Sequence, residues 1–418
     1  MTEQPGWHFN LFHLKRHLNR FRGIDRAYAS SREGRVYFRQ GQYLRALHYF
    51  NESLALAPDY VEAHIGRGRT YYGLRQYTRA RADFAHALRF ERKQSEAQFW
   101  LGQTLFVLQE YQEAINAYNK ALSLKPKDFA IYNNRGQAYV AVHEYTRALA
   151  DFNTALKLSP RFALAYTNRG LAYIELRQYT EALHDLQQAL EIDEKQRRAY
   201  FGSGQASYAL KNYEQALTFY QQALSLAPTS QGYNNLGITL DAQGEHQQAI
   251  EAYTRALEFD VANWVPYNNR GWSYYALKDI PRALIDFERA IAASPDEAYA
   301  AYLNRAWIFA RRGEYIHALE ECNHILLWGI QDALAYAYRA RVYCWQGKVE
   351  TALADCARSL EIDPDCAEAY GVRGLIYAQQ KRQPEAQSEL EKARKIGHNL
   401  FWLDEVNEEL QQEMRKEA

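Results

Sequence analysis

The sequence predicts an all-α protein built from eleven copies of a helix pair, and three regularly spaced residue types carry this prediction. An alanine recurs every 33 to 35 residues, at Ala46, Ala80, Ala114, Ala148, Ala182, Ala216, Ala249, Ala283, Ala318, Ala352 and Ala386. Twelve residues before each alanine stands a small residue: Gly34, Gly68, Gly102, Gly136, Gly170, Gly204, Gly237, Gly271, Ala306, Ala340 and Gly374. Twelve residues after the alanine, six repeats have a proline, at Pro58, Pro126, Pro160, Pro228, Pro295 and Pro364. Small residues let helices cross closely and proline ends them, so each repeat is expected to hold two helices of about 12–14 residues.

This pattern resembles the tetratricopeptide repeat of bacterial type, in which small, aromatic and alanine residues and a final proline follow in fixed order. Repeat four shows the order most completely, with Gly136, Tyr139, Ala148, Phe152, Ala155 and Pro160. Eleven such repeats extend over residues 27–400. The resemblance implies an α-solenoid wound into a right-handed superhelix, with the first helices lining a concave groove.

The two ends of the chain lie outside the repeats. Residues 1–26 carry five basic and two acidic side chains, and four apolar residues there have helical spacing: Leu11, Leu14, Leu18 and Phe21. One interpretation is a basic amphipathic helix for a membrane surface or an acidic partner, and the other is a cap or tail at the open end of the array. Residues 401–418 are expected to form a capping helix.

Composition limits the partner and the compartment. The chain has 50 Lys+Arg and 50 Asp+Glu among its 418 residues, which argues against a nucleic-acid partner held by excess positive charge. It contains no apolar run long enough to span a membrane and no signal segment, so a cytoplasmic location is expected. Four cysteines without a CxxC pair fit a reducing compartment.

Two positions change together from repeat to repeat, when each repeat is numbered so that its small residue is position 8. Position 7 is arginine in seven repeats: Arg67, Arg135, Arg169, Arg270, Arg305, Arg339 and Arg373. Position 23 is acidic in the same seven repeats: Asp83, Asp151, Asp185, Asp286, Glu321, Asp355 and Glu389. We therefore predict a structural salt bridge between the two helices of each of these repeats.

No catalytic motif is recognisable, and neither a cofactor nor a metal is expected. The sequence has no glycine-rich phosphate loop, no GxSxG elbow and no HExxH pair, and the repeats leave no room for a catalytic domain. Cys322, Cys344, Cys356 and Cys366 cluster in the late repeats, which raises a zinc hypothesis. Because Cys322 and Cys356 occupy position 24, where other repeats have aromatic residues, small apolar core residues are the preferred interpretation.

Asparagine recurs at position 6, which faces the groove according to the resemblance. The series is Asn134, Asn168, Asn235, Asn269 and Asn304, interrupted by Gly202 in repeat six. A carboxamide both donates and accepts hydrogen bonds, so such a series can hold the backbone of an extended peptide. It is similar to the asparagine ladder of the O-linked N-acetylglucosamine transferases, whose catalytic domain is absent here. The alternative is that asparagine is a frequent residue at this helix position in bacterial-type repeats.

Large side chains elsewhere in the groove complete the predicted peptide-binding set. These are Trp100, Arg198, Phe201, Tyr208, Trp272 and Trp307. Aromatic side chains on a concave surface typically supply anchoring energy to a bound segment. The carboxylate clamp of chaperone-binding relatives matches only at Asn168 and Arg198, so an Hsp70 or Hsp90 tail is not expected as the partner.

These observations favour a non-enzymatic scaffold or adaptor that binds an extended segment of a partner protein. Two alternatives remain open: an accessory or inhibitory subunit of an enzyme complex, such as a protease or a nuclease, and a peptide-sensing regulator. The 26 residues before the repeats are too few for a DNA-binding effector domain, which weakens the sensor interpretation. The sequence does not identify the partner.

Overall fold

The prediction of an all-α chain is confirmed. The computed structural model describes the backbone of residues 11–91, 93–327 and 332–396 and the side chains from residue 24 onward. Within these ranges every regular element is a helix, and there are 22 of them. In chain order they are α1 (Leu11–Arg39), α2 (Tyr43–Leu56), α3 (Val61–Gly73), α4 (Tyr77–Phe90), α5 (Ser95–Val107), α6 (Tyr111–Leu124), α7 (Phe129–Ala141), α8 (Tyr145–Leu158), α9 (Ala163–Glu175), α10 (Tyr179–Ile192), α11 (Arg197–Ala209), α12 (Tyr213–Leu226), α13 (Ser230–Ala242), α14 (His246–Phe259), α15 (Trp264–Ala276), α16 (Ile280–Ala293), α17 (Tyr299–Arg311), α18 (Tyr315–Leu327), α19 (Ala333–Trp345), α20 (Val349–Ile362), α21 (Ala367–Gln379) and α22 (Gln383–Ile396).

The helix boundaries follow the repeat numbering closely. From repeat two onward, every first helix begins at position 1 and ends at position 13, and every second helix begins at position 17. Each of the six prolines comes two residues after the end of a second helix, as Pro160 does after Leu158. Proline lacks the N–H that a continuing helix would need, and its ring clashes with the preceding turn. The predicted helix pairs and their proline ends are therefore confirmed.

The core of each repeat depends on matched side-chain volumes. All eleven recurring alanines are 0–1% exposed, as expected where the helices of a pair meet. Opposite the glycine at position 8 stands a large side chain at position 24. A Cβ atom added to Gly136, for example, would lie 2.6 Å from a ring carbon of Phe152. Repeats nine and ten, which have alanine at position 8, carry the smaller Cys322 and Cys356 at position 24.

The helices are divided between two compact units, Met1–Asn212 and Tyr213–Ala418. In the first unit, the first helices α1, α3, α5, α7, α9 and α11 each contact the next one in this series. In the second unit, α13 contacts α15, and α19 contacts both α17 and α21. Side chains on neighbouring first helices therefore lie next to one another within each unit.

Both predicted end segments fall partly or wholly outside the described residues. Helix α1 begins at Leu11 and runs without a break through residue 26 into repeat one. The side chains of Leu11, Leu14, Leu18 and Phe21, as well as residues 401–418, lie outside the description. The amphipathic-helix and capping interpretations thus stay predictions.

All seven predicted salt bridges are confirmed. The shortest N···O distances between position 7 and position 23 are 2.5–2.8 Å, and the acidic side chains are at most 13% exposed. Burial alone would raise the pKa of the Asp83 carboxyl, but hydrogen bonds from Arg67 and His64 lower it below its usual value. These carboxylates are shielded from water, which is the condition under which losing a partner costs most.

Five of these arginines also connect consecutive repeats, which the sequence analysis did not predict. In each of them Nη1 donates to position 25 of the preceding repeat. The acceptors are Asn51, Asn119, Asn153, Thr254 and Asn323, at 2.5–2.9 Å. Each of these arginines lies on a first helix and bonds to two second helices, that of its own repeat and that of the preceding repeat.

The turn inside every repeat uses a left-handed residue at position 15. The value of φ there lies between +57° and +84° in all eleven repeats, although only four of the residues are glycine. In repeat five, Arg177 N donates to Ile174 O, and Gln178 N donates to Tyr173 O, at 2.9 and 2.8 Å. These two bonds form a Schellman motif, which satisfies the last carbonyls of the first helix.

Replacing Arg177 with glycine should therefore stabilise the chain, because a side chain at positive φ carries a steric cost that glycine avoids. We expect a gain of about 0.5–1 kcal/mol in the free energy of unfolding, measured by urea titration. Gly41→Ala is the matched control, since its φ is +72° and a Cβ there would meet no atom within 4 Å. It should lose about 1 kcal/mol. Equal stability of both variants and the parent would contradict this account of the turn.

Candidate functional site

In the first unit, the predicted residue Trp100 belongs to a cluster of rings around one arginine. The Arg69 guanidinium carbon lies 4.8 Å from the Phe38 ring centroid and 5.2 Å from that of Trp100. Arg69 Nη1 donates to Glu96 at 2.8 Å, so its charge is partly balanced. Trp100 also meets Tyr72 edge to face, with centroids 5.4 Å apart. Side chains of repeats one, two and three thus meet at this point.

Further along the same unit, two asparagines and an arginine are brought together. Asn168 is buried, and its Nδ2 donates to Asn133 Oδ1 at 2.9 Å. Arg198 is exposed and donates from Nη1 to Asn168 Oδ1 at 3.5 Å. Asn134 is half-buried and donates to Ala130 O of its own helix at 2.7 Å. The carboxamide of Asn168 therefore connects repeats four, five and six.

Phe201 and Tyr208 lie half-buried on α11, the last first helix of this unit. They occupy positions 5 and 12 of repeat six, where Gly202 takes the place of the asparagine. The Trp100 cluster belongs instead to repeats one to three. The predicted residues of the first unit are therefore spread over separate places along its first helices.

In the second unit, asparagines form a continuous hydrogen-bonded chain across three repeats. Asn304 Nδ2 donates to Asn268 Oδ1 at 2.7 Å, Asn268 Nδ2 donates to Asn269 Oδ1 at 3.3 Å, and Asn269 Nδ2 donates to Asn234 Oδ1 at 3.1 Å. Asn304 is buried, while Asn269 and the neighbouring Asn235 are half-buried. Position 6 thus bonds to position 5 of the preceding repeat. The sequence analysis missed the position-5 partners, although the repeated Asn-Asn pairs were the signal for them.

Of the two tryptophans predicted in this unit, Trp272 is half-buried and Trp307 is buried. Trp272 meets Tyr275 edge to face at 5.2 Å and Phe287 at 5.9 Å. Trp307 is only 3% exposed and donates from Nε1 to Tyr275 Oη at 3.3 Å. The Arg341 guanidinium carbon lies 4.6 Å from the Trp307 ring and 4.8 Å from the Trp345 ring. Trp307 therefore lies within the core, with little of its ring open to a ligand.

Beside Trp272 lies a pocket of about 660 Å³. It is lined by Asp241, His246, Trp272, Ser273, Tyr275, Ala276, Lys278, Ile280 and Arg311. These residues come from repeats seven, eight and nine, all in the second unit. The volume falls within the range of about 300–1,000 Å³ that is typical of binding pockets.

Asp241 organises the polar side of this pocket. Its Oδ1 accepts from His246 Nδ1 at 2.9 Å, and its Oδ2 accepts from Tyr253 Oη at 2.9 Å. Ser273 Oγ lies 2.9 Å from Oδ1 and 2.8 Å from Oδ2. The Asp241 carboxylate is thus surrounded by three hydrogen-bond donors from its own unit.

The pocket exists because repeats seven and eight depart from the common side chains at positions 12 and 17. In repeats one to three these positions hold packed aromatic pairs, such as Tyr72 and Tyr77, with centroids 5.4–5.7 Å apart. In repeat seven they hold Asp241 and His246, and in repeat eight Ile280 replaces the usual tyrosine at position 17. Asp241 is the one charged residue at position 12 among the eleven repeats. This departure was the sequence signal for the pocket, and our sequence analysis missed it.

The cysteines lie in the core. Cys322 and Cys356 are completely buried, which confirms their interpretation as core residues at position 24. Burial raises the pKa of both thiols to about 12, and that of Cys366 to about 11. Among the described residues, no group of three or more His, Cys, Asp or Glu side chains is arranged to hold a metal ion.

In the described part of the chain, no helix combines the length and the apolar composition that crossing a membrane requires.

Family models match most of the chain. One model, described as Tetratricopeptide repeat, matches residues 31–93, 133–192, 167–231, 268–326 and 331–397. Two others, described as TPR repeat and Tetratricopeptide repeat, match residues 102–142 and 230–261. No curated protein sequence matches the chain.

Several solved structures resemble the chain over part or most of its length. Yeast Tom70 has a TM-score of 0.51 at 14% identity, covering 94% of this chain and 96% of its own, and this similarity shows the fold alone. A tetratricopeptide repeat protein from Parabacteroides merdae is 26% identical over 56% of this chain and 93% of its own, with a TM-score of 0.46. YrrB, described as a TPR protein with an unusual peptide-binding site, is 26% identical over 44% of this chain and 95% of its own, with a TM-score of 0.39.

Proposed function

Since the chain belongs to the tetratricopeptide repeat family, whose members typically mediate protein–protein interactions, we propose that it is a non-enzymatic scaffold or adaptor. It binds an extended segment of a partner protein along the first helices. The pocket beside Trp272 carries this proposal, because it combines an aromatic wall with polar groups and has a volume in the range of binding pockets.

The predicted contact residues divide into two roles under this proposal. The half-buried Asn134, Asn235 and Asn269 contact the backbone of the bound segment. A carboxamide has two N–H donors and two acceptor lone pairs, so a bond to a neighbouring repeat leaves capacity for a ligand. The buried Asn168 and Asn304 hold neighbouring first helices at the spacing that the bound segment requires.

The aromatic residues divide in the same way. Trp272, Trp100, Phe201 and Tyr208 are half-buried and offer ring surface to the segment. The buried Trp307 holds Tyr275 in place through the hydrogen bond from its Nε1. Arg198 is exposed and lies beside Asn168, where it contributes a positive charge to the contact surface.

The proposed partner is a protein, and the proposed location is the cytoplasm. Equal numbers of basic and acidic residues give the chain no charge surplus with which to bind nucleic acid. An Hsp70 or Hsp90 tail does not fit, because only Asn168 and Arg198 correspond to the clamp positions of chaperone-binding relatives.

Selection from a displayed library of random dodecapeptides tests this function. The full chain should enrich peptides with a common motif, and Trp272→Ala or the triple variant Asn134→Ala, Asn235→Ala, Asn269→Ala should bind them more weakly. Losing an anchoring aromatic side chain typically costs about 2 kcal/mol or more, roughly thirtyfold in affinity. Titration of the enriched peptides by calorimetry measures the loss.

Phe259→Ala is the matched control, since Phe259 is an exposed aromatic residue on a second helix of the same unit. Circular dichroism verifies that every variant keeps its helices. If the parent enriches no motif, or if Phe259→Ala weakens binding as much as Trp272→Ala does, the proposed function or its surface is wrong.

A further inference from the structure

We propose that the pocket beside Trp272 is a specificity site for an acidic side chain, Asp or Glu, that follows an apolar residue within the bound segment. This inference rests on the proposed function, and it adds the chemical class of the partner segment. Three features of the pocket carry it: the bonding of Asp241, the charges at the rim, and the aromatic wall.

The carboxylate in the pocket is already hydrogen-bonded to three side chains. Asp241 accepts from His246, from Tyr253 and from Ser273, whose single hydroxyl hydrogen is shared between the two carboxylate oxygens, with all donor–acceptor distances at 2.8–2.9 Å. These donors fill most of the roughly four acceptor sites of a carboxylate, so it offers little to an incoming amine or guanidinium group. Asp241 therefore acts as a structural centre that orients His246 and Ser273.

The remaining charges in the pocket lining are positive. Lys278 lies at the turn between α15 and α16, and Arg311 is the last residue of α17. Both residues are exposed and belong to the lining of the pocket. Two cations against the single carboxylate of Asp241 give the lining a surplus of positive charge, which attracts an anionic group and repels a cationic one.

The wall of the pocket is apolar and aromatic. Trp272, Tyr275, Ala276 and Ile280 form it, and Trp272 is held edge to face against Tyr275. An apolar side chain of the segment packs on this wall while the next side chain reaches the rim. Burying an apolar side chain contributes affinity, and the charge pairing adds selectivity.

The two lining cations also come from consecutive repeats, eight and nine. Lys278 is fixed at its backbone by the turn, where its N–H donates to Tyr275 O at 2.8 Å. The backbone position of the lysine relative to the aromatic wall is therefore determined by the fold.

Capped peptide mixtures test the proposal. Acetylated and amidated octapeptides, random except for a fixed central Leu-Glu, Leu-Gln or Leu-Lys pair, are compared for retention on the immobilised full chain. We expect the Leu-Glu mixture to be retained roughly tenfold more than the Leu-Gln mixture, because hydrogen bonds to charged groups are the stronger ones. The preference should weaken as salt is raised from about 0.05 M to about 0.5 M.

The double variant Lys278→Gln, Arg311→Gln should lose the preference for Leu-Glu while it still retains peptides. Lys211→Gln, at the same left-handed position of repeat six, is the matched control and should keep the preference. Both substitutions in the double variant lie at exposed positions, so the fold is expected to survive.

Other results would contradict either the acidic-residue proposal or the proposed function. If the parent retains all three mixtures equally, the acidic-residue proposal is overturned and the proposed function stands. The same mixtures are also compared with a free C-terminal carboxylate in place of the amide. If only these uncapped mixtures are retained, the pocket binds the C-terminus of a chain and the proposal is equally wrong. If the parent retains no mixture and the displayed library also enriches nothing, the proposed function itself fails.

Discussion

Replacing Arg270 with leucine should destabilise the second unit by about 3–5 kcal/mol, the usual cost of leaving a buried charge without its partner. The Arg270 side chain is 10% exposed and that of Asp286 is 3% exposed, which makes this the most buried of the seven pairs. Nε and Nη2 of Arg270 donate to the two carboxylate oxygens of Asp286 at 2.7 and 2.9 Å, and Nη1 donates to Thr254 at 2.8 Å. The substitution leaves the Asp286 carboxylate buried, with only the exposed Arg289 as a counter-charge, 3.8 Å from Oδ1.

The chain itself supplies the control for this prediction. Repeats three and seven pair leucine at position 7 with alanine at position 23, as Leu236 and Ala252 do. The double variant Arg270→Leu, Asp286→Ala recreates that pairing, so it should recover a large part of the loss. Urea unfolding followed by circular dichroism, with amide hydrogen exchange across α15 and α16, measures both variants. If the double variant is no more stable than the single variant, the loss does not come from the unpaired Asp286 carboxylate, and the prediction is wrong.

The second large effect concerns the volumes at positions 8 and 24 of repeat four. Phe152→Cys should cost about 2–4 kcal/mol, because it removes a ring from a fully buried site and leaves a cavity beside Gly136. Gly136→Ala alone should cost about 1–3 kcal/mol, since its Cβ would lie 2.6 Å from the Phe152 ring. Thermal and urea unfolding under reducing conditions measure both losses.

Combining the two substitutions recreates the alanine and cysteine pairing of Ala340 and Cys356. The double variant should therefore lose less than the sum of the two single losses, with a coupling of about 0.5–3 kcal/mol. Strictly additive losses would mean that positions 8 and 24 do not share one packing space, contrary to the structure.

The fold was predictable because the period fixes which side chains face inward. Ala148, Gly136 and Pro160 recur in register with their counterparts, and each has a single physical reason to do so. The alanine and glycine permit close helix crossing, and the proline ends the helix. The salt bridges were predictable for the same reason, since comparing repeats shows position 7 and position 23 changing together.

The candidate site was less predictable, because it depends on departures from the repeat pattern. The pocket arises where Asp241, His246 and Ile280 replace bulky residues. A search for residues that recur at the same repeat position does not detect such departures. The partners of the asparagines were missed because Asn133 and Asn268 precede the predicted positions by one residue. Whether an asparagine bonds to its neighbour or to a ligand depends on the rotation of the first helices, which the period does not give.

The most direct test of the central claim, that a partner segment binds along the first helices, is site-specific photo-crosslinking. A photoreactive phenylalanine analogue is placed at Ala276, an exposed residue in the pocket lining, or at Phe259, on the second helix α14. The probe is the peptide enriched by the full chain from the displayed library. The account predicts a crosslink from position 276 and none from position 259. A crosslink from position 259 alone would place the bound segment on the second helices and contradict the account.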